Sequence, residues 1–98
     1  MTISKKLEGT KLELLLEGRL DTTTSPMLEA ELKESMEGIT ELIFNFEKLD
    51  YISSAGLRIL LAAQKIMNKQ GSMVVKSVNN VISEVSEVTG FSDILTVI

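Results

Sequence analysis

The chain predicts an α/β fold on a mixed sheet, with elements in the order β-β-α-β-α-β-α-β and helices packed on the sheet. Three observations carry this. Short apolar runs alternate with longer segments whose apolar residues recur every three or four positions. Glycines stand just past those longer segments, at Gly38, Gly71 and Gly90, where helices commonly stop. Strands separated by helices need crossovers, and crossovers join parallel neighbours with a right-handed sense.

Thr2–Leu7 reads as a first strand and Lys11–Gly18 as a second. Glu8-Gly9 turns between them, so the two form an antiparallel hairpin. Asp21-Thr22-Thr23-Thr24-Ser25-Pro26 then sets a hydroxyl cap before a proline at the first helical position, a strong start signal. The first helix should run from about Ser25 to Met36, with Leu28, Leu32 and Met36 on one stripe. Glu41–Phe46 is a buried-looking strand, and Glu47–Asp50 leads out of it. A second helix from about Ser54 to Gln70 carries Leu57, Leu60, Leu61 and Met67. Ser72–Lys76 is a short strand. Asn80 is the expected cap of a third helix bearing Val81, Val85 and Val88, and Ile94–Val97 a last strand.

Ninety-eight residues suit one domain over 1–98, since single cores sit between about 50 and 200 residues. The chain is 44% hydrophobic and 24% charged, a globular balance. A net charge of −4 argues against nucleic-acid binding, which needs clustered Lys and Arg. The chain has no His and no Cys. Zinc fingers, thiol catalysis and His-based acid–base sites are thereby excluded, and neither metal nor cofactor is expected. No apolar run approaches the ~20 residues of a membrane helix. Met1–Thr10 is charged and lacks the apolar stretch of a secretory signal, and a disulfide-free small domain fits a reducing cytoplasm. Met27, Met36, Met67 and Met73 read as core filler. Glu29, Glu31, Glu34 and Glu37 read as a solvated face.

The informative stretch is Leu49-Asp50-Tyr51-Ile52-Ser53-Ser54-Ala55-Gly56-Leu57-Arg58-Ile59-Leu60-Leu61. A strand ends there, and two serines sit where the next helix begins. A helix start presents unpaired N–H groups and partial positive charge. A hydroxyl placed there serves as a cap, or accepts a phosphate that the fold tolerates. Spacing alone leaves both readings standing.

Leu49–Leu61 resembles the signature of STAS domains, the family of anti-sigma factor antagonists, approximately Asp-Ser-(Ser/Thr)-Gly-Leu before an aliphatic helix. Gly18-Arg19-Leu20-Asp21 resembles the family's Gly-x-(Leu/Ile)-Asp turn, and the order of elements fits over nearly the whole chain. The resemblance implies a protein that binds an anti-sigma factor/serine-protein kinase, is phosphorylated by it, and is reset by a PP2C-type phosphatase. Ser54, two residues before Gly56, takes the phosphoacceptor position. Ser53 stands where the family commonly has Asp and is the alternative acceptor. Asp21, Thr22, Ser53, Ser54, Gly56 and Arg58 become the partner-binding residues. Asp21 has two readings, a loop cap through Asx-type bonding or an acid beside the acceptor. Arg58 is either solvated or in reach of a phosphate on Ser54 at i, i+4.

An enzyme is not expected. No phosphate loop of the Gly-x-x-x-x-Gly-Lys or Gly-x-Gly-x-x-Gly type occurs, and a serine nucleophile lacks a positioned base. A response-regulator receiver domain would need an acidic pair after its first strand, a phosphoacceptor Asp after its third and a later Lys; no acidic pair follows the first strands here, and Asp50 stands alone. A STAS module that binds without phosphorylation, like the accessory subunit of phospholipid-transport ABC systems, is the alternative. Nucleotide or small-ligand binding at the same loops is a third.

Overall fold

A computed structural model describes residues 1–90 and 95–98. Strand β1 (Thr2–Glu8) pairs antiparallel with β2 (Lys11–Leu20) through a turn in which Gly9 adopts φ +61°, a value glycine takes freely. Helix α1 (Ser25–Ser35) crosses to β3 (Glu41–Ile52), which lies parallel to β2. Helix α2 (Ser54–Gln70) crosses to β4 (Ser72–Lys76), parallel to β3, and α3 (Asn80–Thr89) follows. The sheet order is β1-β2-β3-β4. Crossovers of one hand between strands added in one direction set the helices on one face. Beneath them lies an apolar core that includes Leu12, Leu14, Leu16, Leu42, Phe44, Phe46, Leu57, Leu60 and Met67. The other face is half-exposed, and there Glu13 accepts a hydrogen bond from Asn45 Nδ2 at 3.2 Å and pairs with Lys76 Nζ at 3.2 Å.

Strand β3 runs six residues beyond its expected end at Phe46, and the reason is visible in the register. Pairing with β2 shifts between Leu15 and Glu17, and again between Gly18 and Arg19. Each shift gives β3 one extra residue, as at a β-bulge. The buried residues Phe44, Phe46, Leu49 and Ile52 therefore break strict alternation, yet all join the same core. A one-residue slip would turn the following side chains to the wrong face, and the bulges absorb it. Strand β2 is longer too. Arg19 and Leu20, expected in a turn, pair with Tyr51 and Ile52.

Five smaller expectations are corrected. Thr24 stands at the α1 cap position without a side-chain cap bond; its hydroxyl is used inside the preceding loop. Asn79 rather than Asn80 caps α3, accepting from Ile82 N. That helix turns Ile82 inward, whereas Val81 and Val88 are exposed. Met27 is exposed, while Met36, Met67 and Met73 are core. Of the expected last strand, Ile94 lies outside the described residues. Its described part forms a single parallel bridge, Val75 with Val97, rather than a strand.

Candidate functional site

The site is built where β2 and β3 end side by side at their carboxyl ends, the edge at which parallel sheets usually present their loops. Leu20 and Ile52, both fully buried, anchor the two strand ends. One backbone bond then joins the two loops, as Ser53 N donates to Leu20 O at 2.8 Å.

The first loop is organised by Asp21. Its Oδ1 accepts from Thr23 N at 2.9 Å and from Thr24 N at 3.1 Å. The Thr24 hydroxyl donates to Arg19 O at 2.7 Å and accepts from Asp21 N at 2.9 Å. Ser25, buried, donates its hydroxyl to Asp21 O at 2.5 Å. The Thr24 N–H foremost, then the Thr23 N–H and the Thr24 hydroxyl, hold the Asp21 carboxyl below its ordinary range, with the Arg19 guanidinium adding to the effect. The geometry is that of the loop cap, and among the described residues no hydrogen bond links Asp21 to either serine. Thr22 is exposed at the loop tip.

In the second loop the two serines have different tasks. Ser53, in an extended conformation, caps α2, its Oγ accepting from Gly56 N at 3.3 Å. Its carbonyl accepts from Leu57 N at 3.0 Å. Ser54 is the first helical residue and is exposed, and its hydroxyl has no hydrogen-bond partner among the described residues. Gly56 was expected among the partner-binding residues, but it is buried and works as the close approach of α2 to the strand ends. Arg58 is exposed and makes no ion pair among the described residues.

Two residues of this edge escaped the sequence reading as a pair. Arg19 and Tyr51 are register partners, and the guanidinium carbon lies 4.5 Å from the centre of the Tyr51 ring. Only the bulged register brings them together, so no linear spacing signals the contact. Among the described residues no three acidic side chains converge as a metal site would need, and no helix is long and apolar enough to cross a membrane.

The profile of the STAS domain family matches residues 3–98. The chain belongs to the STAS family. This STAS domain is 36% identical over 94 residues to BtrV of Bordetella bronchiseptica, a protein named for anti-sigma factor antagonism; the match covers 94% of this chain and 80% of that protein. It is 29% identical over 87 residues to the anti-sigma-B factor antagonist of Staphylococcus aureus, covering 87% and 81%. Its fold is similar to that of the anti-sigma factor antagonist SpoIIAA in its unphosphorylated form, with TM-score 0.85 and 17% identity over 99% of this chain and 88% of that one. The phosphorylated form of SpoIIAA, from Bacillus, gives TM-score 0.76 at 17% identity, covering 99% and 91%. At such identity these two likenesses are of fold.

Proposed function

We propose that this STAS domain is an anti-sigma factor antagonist that binds an anti-sigma factor with serine kinase activity and is switched off by phosphorylation at Ser54. One observation carries the reading. Of two adjacent serines at a helix start, one is spent on the cap and bonded through its N–H to Leu20 O, just before Asp21, and the other, Ser54, holds its hydroxyl uncovered. The names of the relatives support the antagonist role, and SpoIIAA, which shares the fold, is known in unphosphorylated and phosphorylated forms.

The domain is the substrate, and the kinase supplies the chemistry. Ser54 Oγ attacks the γ-phosphorus of the ATP held by the partner, the bond to the β-phosphate oxygen breaks, and ADP leaves. The serine proton passes to a base on the kinase. The phosphoserine carries about −1.5 to −2 charges at neutral pH. At the first position of α2 it meets the positive end of the helix dipole, so the fold tolerates it. In a closed interface the same charge is desolvated, which costs several kcal/mol unless the partner pairs it. Binding is lost and the partner is freed to hold its sigma factor. A PP2C-type phosphatase in the same cytoplasm restores the hydroxyl.

The test is to incubate the protein with the anti-sigma serine kinases of the same organism and ATP, then locate the phosphate by mass spectrometry. Phosphate is expected on Ser54, and Ser54→Asp is expected to lose the kinase while Ser54→Ala keeps it. Phosphate on neither Ser54 nor Ser53, with Ser54→Asp binding as well as wild type, overturns the switch in favour of a constitutive module.

A further inference from the structure

The chain contains only two arginines, Arg19 and Arg58, against eight lysines, and both flank the serine loop. Arg58 lies one helical turn after Ser54. Arg19 lies beside Tyr51 in the register, one residue before the Leu20 carbonyl that accepts from Ser53. The residue type matters, because arginine offers a planar fork suited to carboxylates where lysine offers a point charge.

Arg19 is held without being satisfied. Its guanidinium rests on the Tyr51 ring at 4.5 Å, inside the ~6 Å over which a cation is attracted to an aromatic face. Its Nε stands 3.8 Å from Asp21 Oδ2, too long for a hydrogen bond. Among the described residues the guanidinium donates no hydrogen bond and pairs with no second carboxylate. The side chain remains 62% exposed. Tyr51 covers one face and Asp21 sets the direction, so little side-chain freedom is left to lose when a partner arrives. Arginine and tyrosine are also the residue types most enriched where interface energy concentrates.

We propose that the Arg19–Tyr51 pair is a second anchor of the partner-binding edge, with Arg19 docking an acidic side chain of the anti-sigma factor next to the Ser54 loop. The inference rests on the antagonist reading above. Tyr51 is the positioning residue in it, since it acts by holding Arg19.

The test measures the dissociation constant for the anti-sigma kinase, with thermal unfolding as a check on the fold. Arg19→Gln should weaken binding about tenfold with Tm unchanged, and should flatten the dependence of affinity on salt. Arg19→Lys should recover only part of the loss. Tyr51→Phe, which keeps the aromatic face, should bind like wild type, whereas Tyr51→Leu should fall several-fold. Among Asp→Asn and Glu→Gln variants of the kinase, one should weaken wild type but leave Arg19→Gln unaffected, as a coupled pair requires. If Arg19→Gln binds like wild type while Ser54→Asp loses the kinase, the anchor is overturned and the antagonist reading stands. If wild type itself fails to bind the kinase, both fall.

Discussion

A β-carbon on Gly56 would lie 2.7 Å from Cγ of Leu20, so the start of α2 presses on the end of β2 as closely as a glycine allows. The same carbon would meet Cγ1 of Ile52 at 2.9 Å. Gly56→Ala gains up to about 1 kcal/mol in helix preference, but overpacking a close-packed core costs about 1–3 kcal/mol. The overlaps fall on side-chain carbons near the backbone, so overpacking wins. Urea unfolding should show a net loss of up to about 2 kcal/mol. At Gly71 the obstacle is backbone, since the added carbon would overlap the carbonyl oxygen of Thr40. There φ is 172°, which any residue adopts, so the cost is contact alone. Gly71→Ala should destabilise more than Gly56→Ala, at or beyond the top of the same ~1–3 kcal/mol range.

Ser53 and Ser54 separate by variant. Ser53→Ala removes the acceptor for Gly56 N and should cost about 0.5–1 kcal/mol, the lower part of the range for a lost cap. Ser53→Asp restores an acceptor and should regain that stability. Kinase labelling should persist in Ser53→Ala and vanish in Ser54→Ala, read by mass spectrometry. Labelling lost in Ser53→Ala alone would make Ser53 the acceptor.

Acid should weaken the fold through two carboxylates. Partial burial pushes Glu13 up, but the hydrogen bond from Asn45 and the Lys76 ammonium, with Lys6 behind them, bring it below its ordinary value. Asp21 is lowered by the Thr24 and Thr23 amides. Both groups therefore titrate lower in the folded protein than in the unfolded chain. Their contribution is complete above the unfolded values near about 4 and is lost as pH falls through the folded ones. Stability measured by denaturant at pH 7, 4 and 2.5 should fall at the acid end. Asp21→Asn, which keeps an oxygen for the loop amides, should flatten part of that fall.

Asn79 ties α3 to β3 from both ends of its amide. Oδ1 accepts from Ile82 N at 2.9 Å, and Nδ2 donates to Leu49 O at 2.9 Å. Loss of the cap costs about 1 kcal/mol and loss of the second bond about 0.5–1.5 kcal/mol. Asn79→Ala should therefore lose about 2 kcal/mol in chemical unfolding. Asn79→Ser, which can cap but is too short to reach Leu49, should recover only the first part.

The limits of α2 were legible because their causes are local. A serine before the helix, a glycine at the close approach and Gly71 at the stop all act within a few residues of themselves. The same holds for the stripe Leu28, Leu32 and Met36 and for the hairpin at Gly9. That the loop after β2 meets the start of α2, through Ser53 N and Leu20 O, was legible through the family's two motifs, not through spacing. The end of β3 was not legible, because alternation fails at a bulge and a bulge exists only against a partner strand.

By itself, then, the sequence determined the order of elements from β1 through α3, the apolar faces of α1 and α2, and the exclusion of His and Cys chemistry. Tertiary structure decided which serine is spent on the cap and which is uncovered. It also decided that Arg19 rests on Tyr51, that Glu13 meets Asn45 and Lys76 across the sheet, and that Asn79 reaches back 30 residues to Leu49. The physical reason is register. Contacts between distant residues depend on how strands align, and here two bulges reset that alignment after Leu15.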